Sequence, residues 1–199
     1  SREKVTHVMP THVHLDHAGG AGALMQEFPN AFLVAHPRGA RHMIDPTKLI
    51  AGTVAVYGEE KTQKLYGTIV PVPEERVLIA EDESRLDFHG RSLLFLDAPG
   101  HARHHYCVID ERSKNVFSGD NFGISYREFD NENGAFIFPT TTPVQFDPEA
   151  MRKTLDRLLS YNPQAVYLTH FGRVTNVEKL GSDLRNCLDQ LTEMALDLK

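Results

Sequence analysis

Between His12 and His17 the chain places three imidazoles and one carboxylate in six positions, as His12-Val13-His14-Leu15-Asp16-His17. Residues two apart in an extended loop point to the same side, so His12 and His14 can grip one ion together. Asp16 and His17 come where the chain turns into a helix, which lets them face a neighbouring ion. Ala18-Gly19-Gly20 lets backbone pass close by without side-chain collision. Imidazole mixed with carboxylate, and no thiolate, suits zinc, iron or manganese. The loop directly follows Val5-Thr6-His7-Val8-Met9, read as a buried strand. A polar loop rich in histidine by chance does not account for four donors at that place.

The rest of the composition sets limits. With 21 basic and 27 acidic residues the formal net charge is −6, which argues against a nucleic-acid surface. Arg38 with Arg41, and Arg152-Lys153 with Arg157, read as solvated helix faces. No run approaches the roughly eighteen apolar residues that a spanning helix needs, so no membrane partner is expected. No secretory signal is visible in Ser1-Arg2-Glu3-Lys4, ahead of the first strand-like stretch, and none is expected. Cys107 and Cys187 lie far apart and in no CxxC spacing, which excludes a disulfide framework and a thiolate zinc site. The reduced cytoplasm is the expected compartment. At 199 residues and 41% apolar, the chain is read as a single domain over 1–199 with its own core.

Strand and helix signals alternate at first. Residues 5–9 and 31–35 read as strands, 18–28 and 38–43 as helices, and 46–76 as mostly helical. From Arg85 the pattern becomes a meander, with strands at 86–89, 92–97, 105–110 and 115–118 joined by turns. Asp147-Pro148-Glu149 supplies a cap and a proline at the first helical position. The helix that follows carries Met151, Leu155, Leu158 and Leu159 on one face. Residues 165–169 read as a strand, and a last helix begins near Asn176 with Leu180, Leu184, Cys187, Leu188 and Leu191 at helical spacing.

The HxHxDH pattern resembles the hallmark of the metallo-β-lactamase superfamily. The rest of that family's pattern follows in chain order, as Pro99-Gly100-His101, Ser118-Gly119-Asp120 and Leu168-Thr169-His170-Phe171-Gly172. Each stands at the end of a segment read as strand, and the resemblance runs from Val5 to Gly172. It implies an α/β fold, an αββα sandwich. Family members begin with further strands, so this chain is expected to be N-terminally short and to lack part of the first sheet layer. An open apolar face and edge would follow, so the chain is expected either to form a homo-oligomer or to lack a complete second sheet. By resemblance, His12, His14 and His101 hold a first metal, Asp16, His17 and His170 a second, and Asp120 bridges them. Asp16 and Asp120 are then the catalytic carboxylates. His7, His36, His42 and His89 have no such context and no assigned role.

The resemblance implies two divalent ions as cofactors, zinc first, with iron or manganese as alternatives. Their shared hydroxide would attack an ester, thioester or lactone of a small acyl substrate. His14 to Gly20 resembles the lactonase and glyoxalase II branches. The family's Gly-His-Thr-x-Gly-His continuation is altered to Gly100-His101-Ala102-Arg103-His104-His105, so Arg103 or His104 reaches either the pocket or the surface. Residues 121–146 carry Phe122, Tyr126, Phe129, Phe136, Phe138 and Thr140-Thr141-Thr142. They read either as an apolar wall of the pocket or as an ordinary packed loop. Arg103, Phe122 and Tyr126 are the candidate substrate contacts. Relatives of the same fold use iron for redox chemistry, as sulfur dioxygenases or diiron oxygen-binding proteins, which gives the alternative function. A nuclease comes third, disfavoured by the acidic balance.

Overall fold

Short apolar strands separated by helices can pair only in parallel, because each crossover returns the chain to the same end of the sheet. Residues 1–81 follow that rule. The structure is a computed structural model that describes residues 2–141 and 144–198, so Thr142 of the expected threonine run lies outside the described residues. The chain divides into two compact units, Ser1–Glu81 and Asp82–Lys199, where the sequence reads as one domain.

The first unit runs β1 (His7–Val8), α1 (Leu15–Ala18), α2 (Ala21–Glu27), β2 (Phe32–Ala35), α3 (Pro37–Ile44), α4 (Thr47–Tyr57), α5 (Glu59–Tyr66) and β3 (Val77–Ile79). Its sheet has the order β1-β2-β3, all parallel, with His7 opposite Phe32 and Val34 opposite Leu78. Val13, Ala18, Met25, Leu33, Ala35 and Met43 belong to its core. The last carbonyls of a helix lack intrahelical partners. Here the Arg76 guanidinium donates to the carbonyls of Met25 at 2.9 Å, Phe28 at 2.7 Å and Ala31 at 2.7 Å, closing α2 onto the turn before β2. The strand expected over 5–9 pairs only at its centre. The helix expected over 18–28 breaks at Gly19-Gly20. The mostly helical reading of 46–76 holds over Thr47–Tyr57 and Glu59–Tyr66, divided at Gly58 (φ 81°), and fails beyond Tyr66, where Gly67, Pro71 and Pro73 interrupt the chain and only a 3-10 turn at Glu74–Arg76 follows.

The second unit runs β4 (Arg85–Asp87), β5 (Ser92–Asp97), β6 (Tyr106–Asp110), β7 (Asn115–Gly119), α6 (Pro148–Ser160), β8 (Ala165–Leu168), β9 (Gly172–Val174) and α7 (Val177–Asp197). The sheet order is β4-β5-β6-β7-β8-β9. The meander β4 to β7 is antiparallel as read from the sequence, β8 returns parallel to β7, and β9 closes antiparallel on β8. Helix α6 starts where its cap predicts, with Asp147 Oδ1 accepting from the Ala150 N–H at 3.0 Å and Pro148 at the first turn. Leu155 and Leu158 of α6 and Leu180 and Leu184 of α7 share a core with Leu94, Leu96, Cys107, Val116 and Val166 of the sheet. Among the described residues no helix is long and apolar enough to cross a membrane.

Glycine is required where α2 meets the chain that leads into β3. A Cβ on Gly22 would lie 1.8 Å from the Val70 carbonyl oxygen, whereas one on Gly20 would meet nothing within 4 Å. Gly20 is the cap of α2 in an ordinary right-handed conformation (φ −85°), where alanine costs little, so the two positions should respond with different severity. Gly22→Ala should lose about 3 kcal/mol or more in urea denaturation, and Gly20→Ala should stay within about 1 kcal/mol of the parent. A Gly22→Ala protein as stable as the parent would show that this close approach is not real.

Candidate metal centre

In the first unit the donors sit on the loop that leaves β1 and on the turn of helix it enters. His14 is the cap of α1 in extended conformation (φ −61°, ψ 145°). Alternation works as expected: Val13 is buried in the core, while His12 and His14 turn to the other side. His12 is 1% exposed. Its Nδ1 lies 3.1 Å from the Thr11 hydroxyl, and its Nε2 lies 3.0 Å from His14 Nδ1. The His17 ring centroid is 4.1 Å from that of His12, and His17 Nε2 is 3.3 Å from Asp16 Oδ2. Partial burial pushes the Asp16 carboxyl up, but the His17 hydrogen bond and the His17 and His14 charges outweigh it and hold the group at about 2. Asp16 is therefore a carboxylate at neutral pH. As such it is a good ligand and hydrogen-bond acceptor.

In the second unit the donors sit at strand ends, and each is fixed by its backbone. Gly100, at φ 139°, lets the turn after β5 lie against the start of α6, where a Cβ would fall 2.6 Å from Met151 Cα. The His101 N–H donates to Asn121 Oδ1 at 3.1 Å. The His101 ring donates from Nδ1 to the Thr140 carbonyl at 3.2 Å, which assigns Nε2 as its ligating nitrogen. Gly119 takes φ 54° at a register irregularity of β7, and this turns Asp120 out of the strand. Asp120 is 4% exposed, with Oδ2 at 3.4 Å from His101 Nε2 and 3.8 Å from His170 Nε2. One carboxylate oxygen thus faces two imidazoles.

Three groups given no role in the sequence reading hold this arrangement. The Asp120 N–H donates to His105 Nε2 at 3.1 Å. The Thr140 hydroxyl donates to the Asp120 carbonyl at 2.7 Å. The Asn121 amide donates to the Ala98 carbonyl at 2.5 Å. Thr140 thus fixes both His101 and Asp120. Each cluster by itself fits a divalent ion by its chemistry: imidazoles with one carboxylate, and no thiolate.

The candidate substrate contacts separate. Phe122 is a correction: it is fully buried in the core of the second unit, so its ring packs against that core instead of forming an exposed wall. Arg103 is exposed, with its backbone N–H donating to Gln145 Oε1 at 3.1 Å. His104 is buried. Tyr126 is half-buried and lies among other aromatic rings, 4.8 Å from Phe171 between centroids. Of the histidines given no role, His36 caps α3, its Nδ1 accepting from the Arg38 N–H at 3.0 Å.

The model of the metallo-beta-lactamase superfamily matches residues 1–170. The chain belongs to the metallo-β-lactamase superfamily. Its fold is the superfamily's αββα fold, as the sequence led us to expect. The metallo-beta-lactamase fold-containing protein ST1585 of Sulfurisphaera tokodaii is 27% identical over 182 residues, which are 87% of this chain and 63% of that protein. The crystal structure of ST1585, described as an archaeal metallo-beta-lactamase superfamily protein, matches with a TM-score of 0.75 at 26% identity, over 92% of this chain and 68% of that one. An atrochrysone carboxyl ACP thioesterase of Pseudocercospora fijiensis is 28% identical over 117 residues, 59% of this chain and 25% of the relative. The structure of TTHA1623 in a di-iron-bound form matches with a TM-score of 0.59 at 25% identity, over 84% of this chain and 70% of that one. The chain spans less than two thirds of either curated relative's length.

Thr140→Val keeps the carbonyl that orients His101 and removes the hydroxyl that holds Asp120. Partners of this kind are worth about tenfold or more in metal affinity. Titration with Zn²⁺ should show that loss with an unchanged far-UV circular dichroism spectrum. An unaltered affinity would remove Thr140 from the support of the centre.

Proposed function

We propose that this superfamily member is a metal-dependent hydrolase of an ester, thioester or lactone bond in a small acyl substrate, working with a pair of divalent ions. The observation that carries the reading is the placement of Asp120 Oδ2 against the Nε2 atoms of both His101 and His170. A carboxylate so placed suits a bridge between two ions. The family pattern assigns His12, His14 and His101 to one ion, Asp16, His17 and His170 to the other, and Asp120 to both. When bound, divalent ions supply an activated water near neutral pH and polarise an acyl carbonyl. The chain's own groups supply the orientation. Thr140 fixes the His101 ring, Asn121 fixes the His101 backbone, and the His105 ring fixes the backbone that carries Asp120. Asp16, a carboxylate with its pKa held at about 2, serves as a ligand and hydrogen-bond acceptor. The thioesterase among the relatives supports acyl transfer to water as the reaction class.

One observation favours a second reading. TTHA1623, at 25% identity, is known in a di-iron-bound form. An iron-dependent redox protein, of the sulfur dioxygenase or diiron oxygen-binding type, uses the same kinds of donor.

Metal content decides between them. Protein purified without added metal and analysed for zinc, manganese and iron should turn over an acyl ester, thioester or lactone from a broad panel. A chelator should abolish that activity, and Zn²⁺ or Mn²⁺ should restore it. The rate should rise with pH on a limb near neutrality. Asp120→Ala should lose metal and activity while keeping its secondary structure. Bound iron with visible absorption and oxygen uptake, and no acyl turnover, would assign the redox function instead.

A further inference from the structure

Phe171 directly follows His170 and adopts φ 72°, a left-handed conformation that bulky side chains avoid. Its ring is nevertheless 52% exposed, so core burial does not explain the strain. The ring stands 4.8 Å from Tyr126 at a tilt of 38°. Tyr126 in turn meets Phe129 edge-on at 6.0 Å, and Phe129 is 56% exposed. None of these three rings belongs to the apolar core of the unit. The loop that carries the patch is tied by Arg127. Arg127 Nε donates to the Phe171 carbonyl at 3.3 Å, Nη2 to Ser125 Oγ at 2.8 Å, and Nη1 pairs with Asp130 at 3.2 Å. The cation closest in sequence is thus committed to the loop, so the patch offers apolar ring faces and edges. A contiguous, preformed aromatic surface beside a site residue marks ligand contact.

We infer that Tyr126, Phe129 and Phe171 form a shelf that receives a flat apolar acyl group, of aryl size, on the His170 side of the site. This assignment of substrate class rests on the acyl-hydrolase reading above. Mixed faces and edges suit a planar ring, which stacks on one member and meets another edge-on. An acetyl group is too short to reach across them.

The test uses the full metal-loaded chain with phenylacetate and acetate as probes, followed by ligand-observed NMR. Phenylacetate should bind about tenfold more tightly than acetate, and Phe171→Gly and Phe129→Ala should each remove most of that difference. Glycine adopts φ 72° freely, so the Phe171→Gly protein should melt no lower than the parent, which separates lost binding from lost folding. Equal affinity for the two acids, or an undiminished preference in Phe171→Gly, overturns the shelf. So does a change in oligomeric size in the variants with binding unaltered, since the patch would then seat a second copy. Turnover of phenylacetyl and acetyl esters reads the parent proposal separately. Selective binding without turnover of any ester sinks the hydrolase and keeps the shelf. Turnover without preference for phenylacetyl keeps the hydrolase and sinks the shelf.

Discussion

A carboxylate that is 4% exposed must be met by positive charge or by hydrogen-bond donors, since burying it alone costs far more than a small domain can spare. Asp120 is that group, and much of the second unit is arranged around it. Sheet order puts β7 between β6 and β8, so the end of β7 lies at the centre of the sheet. Gly119 turns the chain there. His101 arrives from the end of β5 and His170 from the end of β8, so Asp120 Oδ2 sees both imidazoles. The core beneath, from Leu96 to Leu184, keeps these strand ends at fixed height. Rigid strands under mobile chemistry are what a ligand-binding carboxylate requires.

The first unit solves the same problem by sequence proximity instead of topology. Alternation sends Val13 into the core while His12 and His14 share the other side, and the start of α1 then delivers Asp16 and His17. Local geometry alone brings His12 and His17 to 4.1 Å between ring centroids. Such a cluster needs few long-range supports. The second unit's donors, drawn from three strand ends, need many: Asn121, Thr140 and His105 each reach across 15 to 39 residues of chain to hold them.

That difference explains what was legible in the sequence. The local motif could be read because its donors lie in one short segment. The long helices could be read because caps and apolar stripes are local too, as at Asp147 and along α7. The roles of the three supporting residues could not, because a side chain bonded to a distant backbone group leaves no spacing signal; the family pattern marks the place of His105 but not its partner. Strands β3 and β9 were missed for a related reason. Each has three residues, and their burial runs from half-buried to exposed in one and exposed to buried in the other, without alternation. They exist because β2 and β8 offer unsatisfied edges beside them. The five-residue strand expected at 5–9 shortens because Pro10, which has no N–H to donate, and the metal-loop geometry take the chain away from β2.

The aromatic stretch after Asp120 shows the limit most sharply. Phe122 and Phe129 are the same residue type seven positions apart, yet one is fully buried and the other 56% exposed. Composition treats them alike. What separates them is backbone. Phe122 follows Asp120 within the turn that drops into the core, whereas the Ile124–Phe138 bridge and the 3-10 turn at Arg127–Phe129 lift the later rings outward. Those features depend on where residues 136–138 return, and that is set by the whole second sheet. An aromatic residue is thus assigned to packing or to recognition by the path of the chain around it. Exposed Phe129 and half-buried Tyr126 are what folding leaves available of the stretch; with Phe171 they form one group, and Arg127, bonded to the Phe171 carbonyl, keeps it in one shape.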